Sequence, residues 1–222
     1  MRRRIQRGVA YIEFAFSLLV LIPLLLGVIG IGLSMHRQLQ TVQLARDAGH
    51  MYARNVDFTV LGNQQVLSAV AGSLNLSTTL GSGDSEVILS TVRYVDVSAC
   101  TLAGKVDSHG NPLGCTNYQK WVFAQRLVIG NNTLWNSSLG NPASSILSTV
   151  ASNGVPIGSV NITNQVTNTT DVAAITGFNP WNSTTGTGLP SGQWVYVSEA
   201  AATGFRMPPF SQGTNTYAQI YF

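Results

Sequence analysis

The sequence is short of charge. Aspartate, glutamate, lysine and arginine together make up 9% of its 222 residues, against about 25% in an ordinary soluble domain. Four of its twelve basic residues, Arg2, Arg3, Arg4 and Arg7, stand ahead of Gly8, so the remainder carries eight bases against nine acids. That balance offers no basic patch, and no nucleic-acid partner is expected. Cysteine is limited to two residues and histidine to His36, His50 and His109. Only His109 lies near the cysteines, which leaves no four-ligand metal set. The chain also lacks a Gly-x-Ser-x-Gly elbow, a phosphate-binding Gly-Lys-Ser/Thr loop and a His-Glu-x-x-His pair. No catalytic residue, metal or cofactor is therefore expected, and a structural role is favoured over an enzymatic one.

What the sequence does have is one long apolar run. From Val9 to Met35, Glu13 is the only residue charged at neutral pH, and Ala15 to Leu33 is interrupted only by Ser17, Pro23, Gly27, Gly30 and Gly32. About 20 apolar residues in a helix cross a bilayer core, so this run predicts a membrane helix. A cleaved secretory peptide fits less well, because its apolar region is about 7 to 15 residues long and ends in a small-x-small site. Here the run gives way to His36-Arg37-Gln38. The arginines before it place the N-terminus in the cytoplasm and the C-terminal part on the far side of the membrane. Pro23 removes one backbone hydrogen bond and bends the axis, and Gly30 with Ser34 forms a small-xxx-small pair suited to close approach of another helix.

Helical periodicity continues beyond the membrane. Leu39, Val42, Ala45, Gly49 and Tyr52 recur at intervals of three and four, with Gln38, Gln40, Gln43, Arg46 and Arg54 on other faces. An unbroken helix from Val9 to Arg54 would be roughly 70 Å long, more than any bilayer needs.

The spacing at the start of the run carries a resemblance. A cut after Gly8 would make Glu13 the fifth residue of the product and Phe14 the sixth. This pattern is similar to the prepilin-peptidase motif as found in the TadE family of tight-adherence (Flp) pilus systems. Gly27-Val28-Ile29-Gly30-Ile31-Gly32 and the segment Ala45 to Arg54 resemble further stretches of that family, while the position of Pro23 and the glycine at 30 depart from it. The resemblance covers about the first 54 residues. It implies processing at Gly8, Val9, Glu13 and Phe14, pairing of Glu13 with a neighbouring subunit, and a non-enzymatic minor pilin or pseudopilin. The implied partners are the inner membrane, prepilin peptidase, other pilin-like subunits and the pilus assembly machinery. The competing reading is an uncleaved, membrane-tethered surface binding or adhesion module.

The expected fold class is α+β: a long N-terminal transmembrane helix continuing into an exported domain with an antiparallel β-sheet. The expected divisions are a basic leader over residues 1–8, a transmembrane helix over 9–36, its continuation over 37–56 and a head over 57–222. Within the head, Asn63 to Leu74 predicts a short helix with Val66, Val70 and Leu74 on one stripe. Glu86 to Ser98 and Lys120 to Ile129 predict two strands of a hairpin, the second with Trp121, Phe123, Leu127 and Ile129 on one face and Lys120, Ala124 and Arg126 on the other. Cys100 and Cys115 sit at similar depths in the loop between them, which suggests a disulfide; two free thiols are the alternative. Gly130 to Gly192 reads as loops with short apolar islands at Ile146 to Val150, Val155 to Ile162 and Val172 to Ile175. Trp194 to Val197 and Tyr217 to Phe222 read as closing strands. A single aromatic C-terminal strand does not make an outer-membrane barrel.

Overall fold

The computed structural model describes residues 2–142, 149–150, 156–159, 161–173, 194–209 and 211–222. The rest of the apolar islands expected between 130 and 192 lies outside the described residues. Helix α1, Arg2–Ala53, runs unbroken through Pro23 and stops where Asn55 takes a left-handed conformation, φ 62°. Beyond it lies a six-stranded sheet in the order β3-β4-β2-β1-β5-β8, antiparallel at every pairing. Its strands are β1 (Ser85–Tyr94), β2 (Trp121–Gly130), β3 (Thr149–Val150), β4 (Pro156–Ser159), β5 (Trp194–Ala202) and β8 (Thr216–Tyr221). Two short strands, β6 (Arg206–Met207) and β7 (Ser211–Gln212), pair separately in the connection before β8. The chain is α+β, as its patterning indicates.

The C-terminal third of α1 lies on β5 and β8. Ala45, Ala48 and Gly49 on the helix are buried, as are Ala200, Ala202 and Ala218 on the strands. Small residues on both sides let helix and sheet approach closely, with Leu44, Val87, Leu89, Leu127 and Ile129 filling the same core. Polar side chains fix the alignment. Arg37 Nη2 donates to Thr203 Oγ1 at 3.2 Å, Gln38 Nε2 donates to the Tyr217 carbonyl at 3.1 Å, and the Thr41 and Thr216 hydroxyls share a 2.7 Å hydrogen bond. Tyr52 lies edge-on to Tyr196, 5.4 Å between centroids, and its hydroxyl meets Thr91 and Gln125.

The buried stripe is displaced from the one the periodicity predicts. Thr41, Leu44, Ala45, Ala48, Gly49 and Tyr52 face inward, while Leu39 is 62% exposed and Val42 38%. The cause is Thr41: its hydroxyl is satisfied by the Arg37 carbonyl and Thr216, so a polar residue takes a core position and turns Leu39 outward. Helix α2, Leu61–Ala71, continues as a single turn of 3-10 helix, Gly72–Leu74, and covers another side of α1. It too is rotated: Gln64, Leu67, Ala71 and Leu74 are buried, while Val66 and Val70 are half exposed. Gln64 holds its inward place by donating to the Phe58 carbonyl at 2.6 Å.

The β1–β2 hairpin forms in the expected sense, but the face assignment along β2 is corrected. Thr91 pairs with Gln125 and Val92 with Phe123, leaving Ala124 as an extra residue. Such a bulge reverses the alternation. Trp121 and Phe123 therefore lie on the face away from α1, with Val92 and Val197, whereas Leu127 and Ile129 lie on the α1 face. Arg126 ends on the far face beside Phe123, 3% exposed, instead of pointing to solvent.

The first strand ends at Tyr94 rather than Ser98, because Asp96 caps a helix, α3 (Val97–Leu102), by accepting from the Ala99 amide at 2.8 Å. Cys100 on α3 and Cys115 after the loop form a disulfide, Cα–Cα 5.8 Å. Around it pack Val95, Ala99, Val122 and Val166, the last from helix α4, Ile162–Thr167. Asn161, in the Asn161-Ile162-Thr163 triplet, caps α4 through a 2.8 Å bond from the Asn164 amide.

Gly49 is the tightest point of the helix–sheet contact. A Cβ there would stand 2.1 Å from Cε2 of the Phe222 ring, and the backbone of Phe222 is held by two hydrogen bonds to Tyr196. Gly49→Val is expected to lower stability by about 1–3 kcal/mol, read as a reduced thermal midpoint. Val at Gly62, where a Cβ meets nothing within 4 Å, serves as the control for helix propensity.

Candidate functional site

The residues that the sequence singles out for processing and pairing lie on the part of α1 that no other element covers. Gly8 and Val9 fall within continuous helix. Glu13 is exposed, Phe14 is 62% exposed, and Leu19, Val20, Leu24, Leu25, Val28 and Ile31 are exposed with them. The most apolar 18-residue window of the helix has a mean hydropathy of 2.7 and is only 6% buried by the protein itself. One helix among the described residues is thus long and apolar enough to cross a membrane, and few of the described residues cover its apolar stretch.

Within that stretch the polar atoms are largely handled locally. Ser17 Oγ donates to the Glu13 carbonyl and Ser34 Oγ to the Gly30 carbonyl, both at 2.9 Å. The Glu13 carboxylate makes no ion pair or hydrogen bond among the described residues. A carboxylate in or near hydrocarbon is costly without a partner, so this group is the one unbalanced feature of the exposed helix. Ser34, in contrast, is already half covered: with Met35, Gln38, Phe205 and Thr216 it lines a hollow between α1 and the β6–β7 region. The three histidines do not converge; His50 lies against Phe222 and His109 beside Ser108. Among the described residues no three His, Cys, Asp or Glu side chains gather as a metal site.

A charged cluster that the sequence pattern does not reveal lies on the far face of the sheet. Glu86 on β1, Arg126 on β2 and Glu199 on β5 are exposed by 2%, 3% and 1%. The segment after β2 closes over them. Glu199 accepts from Ser137 Oγ at 2.5 Å, from the Ser138 amide at 3.0 Å and from Tyr217 Oη at 2.6 Å. Arg126 Nη2 donates to Ser137 Oγ at 3.1 Å and to the Gly140 carbonyl at 2.9 Å, and Glu86 Oε2 accepts from the Trp135 amide at 3.0 Å. Trp135 in turn stacks on Tyr217, 4.5 Å between centroids. Three strands and a strap, residues 131–142, are thereby tied at one place. The only signal in the sequence was the presence of Glu86 and Arg126 inside expected strands of a chain with few charges; Glu199 lies beyond the strand expected to end at Val197, because β5 runs on to Ala202. The bulge at Ala124, invisible in the pattern, is what turns Arg126 to face the two acids.

Two acids and one base would leave a buried negative charge. Burial pushes the Glu86 carboxyl up to about 7, with the Trp135 amide opposing and Glu199 adding to the rise. Burial likewise draws Arg126 down to about 10, still protonated at neutral pH, while the nearby acids hold it up. Protonation of Glu86 removes that excess negative charge. Glu86 ordinarily titrates at 4.5, so below that value both folded and unfolded chains keep it protonated. As pH rises the unfolded chain ionises first, and the stability tied to this group falls until the folded chain ionises near 7. Glu86→Gln is therefore expected to behave like the parent near about pH 4 and to be more stable by about 1–3 kcal/mol near about pH 8. Thermal unfolding of both proteins across that range checks the sign.

No curated protein and no solved structure matches the chain. A family does match: residues 8–50 fit the family described as TadE-like protein, a stretch that begins at Gly8 and ends where α1 lies under the sheet. The matched stretch lies wholly within α1 and includes Gly8, Glu13, Gly30 and Ser34, so the similarity to the TadE-like family is a similarity of this helix.

Proposed function

We propose that the protein is a minor pilin or pseudopilin of a tight-adherence pilus, non-enzymatic, anchored in the bacterial inner membrane by residues 9–36 with its N-terminus in the cytoplasm. Residues 1–8 are a basic leader, residues 37–56 carry the helix out of the membrane, and residues 57–222 form a head on the periplasmic or extracellular side. The observation that carries this reading is the division of α1: apolar and largely exposed from Tyr11 to Met35, then packed under an antiparallel sheet from Arg37 to Tyr52. A simple tether would need no rigid continuation into the domain. Here one rod is both anchor and spine, so force or position at the membrane end passes directly to the head.

Two steps then assign the exposed end of the helix. Prepilin peptidase removes the leader between Gly8 and Val9, which requires local opening of the helix; Gly8 lowers the cost, being a poor helix former. The new amine at Val9 lies one turn from Glu13, and the carboxylate pairs with the amine of a neighbouring pilin-like subunit, offsetting its desolvation. Gly30 remains the small residue at which another helix approaches.

Intact-mass analysis of membrane-extracted protein is expected to find a chain beginning at Val9. A chain that retains Met1 or Arg2 sinks the processing step and favours the tethered binding module. Glu13→Gln is expected to insert normally but to lose most of its recovery in pilus fractions or co-purified subunits. Cleavage is scored separately, since the peptidase reads the same region; a variant inserted, cleaved and assembled like the parent removes Glu13 from any pairing role.

A further inference from the structure

A cleft of 440 Å³ opens where α1 ends, between the residues after the helix and the α1 face of the sheet. Its floor is apolar and buried: Phe58, Ala124 and Leu127 are each exposed by 3% or less. Its walls are aromatic, with Tyr52 and Tyr196 on one side and Trp194, 46% exposed, at the mouth. Polar groups stand on the rim: Asn55, Asp57 and Thr59 from the turn after α1, and Gln125 from β2. The volume falls within the usual range for small-ligand sites, about 300–1,000 Å³.

The lining restricts what fits. It contains no lysine, arginine or histidine, and Arg93 beside the mouth is turned over the Trp194 ring, so a phosphate, sulfate or carboxylate would find no counter-charge within the cleft. A single carboxylate, Asp57, is too little to hold a metal cation. The cleft lies over the face of β1, β2 and β5 rather than along a free strand edge, so a peptide could not add there as a strand. What remains is a neutral ligand with apolar faces and many hydroxyls. Aromatic rings present a negative face to the C–H groups of such a ligand. Amide and hydroxyl groups on the rim meet its oxygens. Gln125 is oriented for this: its Oε1 accepts from Tyr52 Oη at 3.0 Å, and its Nε2 donates to no described residue. The Trp194 ring is steadied by the Arg93 guanidinium, 5.5 Å from its centroid.

We propose that this cleft binds a neutral saccharide of one or two rings, with Trp194 as the stacking platform and Gln125 Nε2 as the oriented donor. The cleft lies at the end of α1 away from the apolar run, roughly 30 Å along the helix from Leu33 to Ala53. It is therefore presented away from the membrane rather than toward it. The proposal does not depend on cleavage at Gly8 or on pairing by Glu13, and its test leaves both aside.

The full chain in phospholipid nanodiscs, without glycoside detergent that would compete, is titrated calorimetrically with cellobiose, maltose, lactose and diacetylchitobiose. At least one is expected to bind with a millimolar or lower Kd and to shift the Trp194 indole N–H resonance. Trp194→Ala is expected to weaken that binding by about tenfold or more. Gln125→Glu keeps the acceptor for Tyr52 but removes the donor, and is expected to weaken it by about the same factor. Both variants are checked for an unchanged thermal midpoint. If no saccharide binds at tens of millimolar, or if folded Trp194→Ala and Gln125→Glu bind as tightly as the parent, the proposal is overturned.

Discussion

A single helix has to satisfy two solvents. The first part of α1 is apolar on every side and largely exposed among the described residues, as lipid would require; the part beyond Arg37 is apolar on one stripe only, as a protein core requires. No break separates the two, because the helix is continuous to Ala53. The architecture of the head follows from that continuity. Strands β5 and β8 must offer a surface shallow enough for a straight rod, and they do so with Ala200, Ala202 and Ala218 rather than with large side chains. Larger residues, Leu89, Leu127 and Ile129, fill the core on the neighbouring strands.

The opposite face of the sheet is solved by different means. Among the described residues no helix covers it; the strap over residues 131–142 does, and a strap of that length brings little apolar surface. Glu86, Arg126 and Glu199 compensate by gripping its backbone and serine hydroxyls. Buried charge of this kind is a poor general source of stability but a strict one for geometry, since each group is satisfied in one arrangement. The two faces thus divide the work: close packing against α1 on one, directional bonds on the other.

Much of this was legible in the residues, and the rest was hidden for identifiable reasons. The apolar run, the helix continuing past it, the β1–β2 pair and the two closing strands all follow from periodicities that tertiary contacts reinforce. The inward stripe of α1 was misplaced because Thr41 is polar by type yet satisfied by Thr216, a residue 175 positions away. The faces of β2 were misassigned because a one-residue bulge leaves no mark in a hydrophobic pattern. The charged cluster and the aromatic cleft were missed for a common reason: each collects residues from three or more separate stretches, and none of those stretches carries a recognisable motif. The N-terminal segment needed no such convergence. Its resemblance rests on the spacing of Gly8, Glu13 and the apolar run, which is a property of sequence alone.

The order of the strands in the sheet has a consequence for how the chain matures. Helix α1 packs on β8, well over a hundred residues later in the chain, through contacts such as Thr41 to Thr216 and Gln38 to Tyr217 that span 175 and 179 residues. Contacts of such high sequence separation form late and slowly. During synthesis the stripe from Thr41 to Tyr52 must wait uncovered until β8 arrives, a hazard for any chain that meets others of its kind. With α1 anchored in a bilayer, as proposed, the waiting helix would be held at a fixed depth, spaced from neighbours, and the membrane would act as a folding chaperone for the domain it tethers.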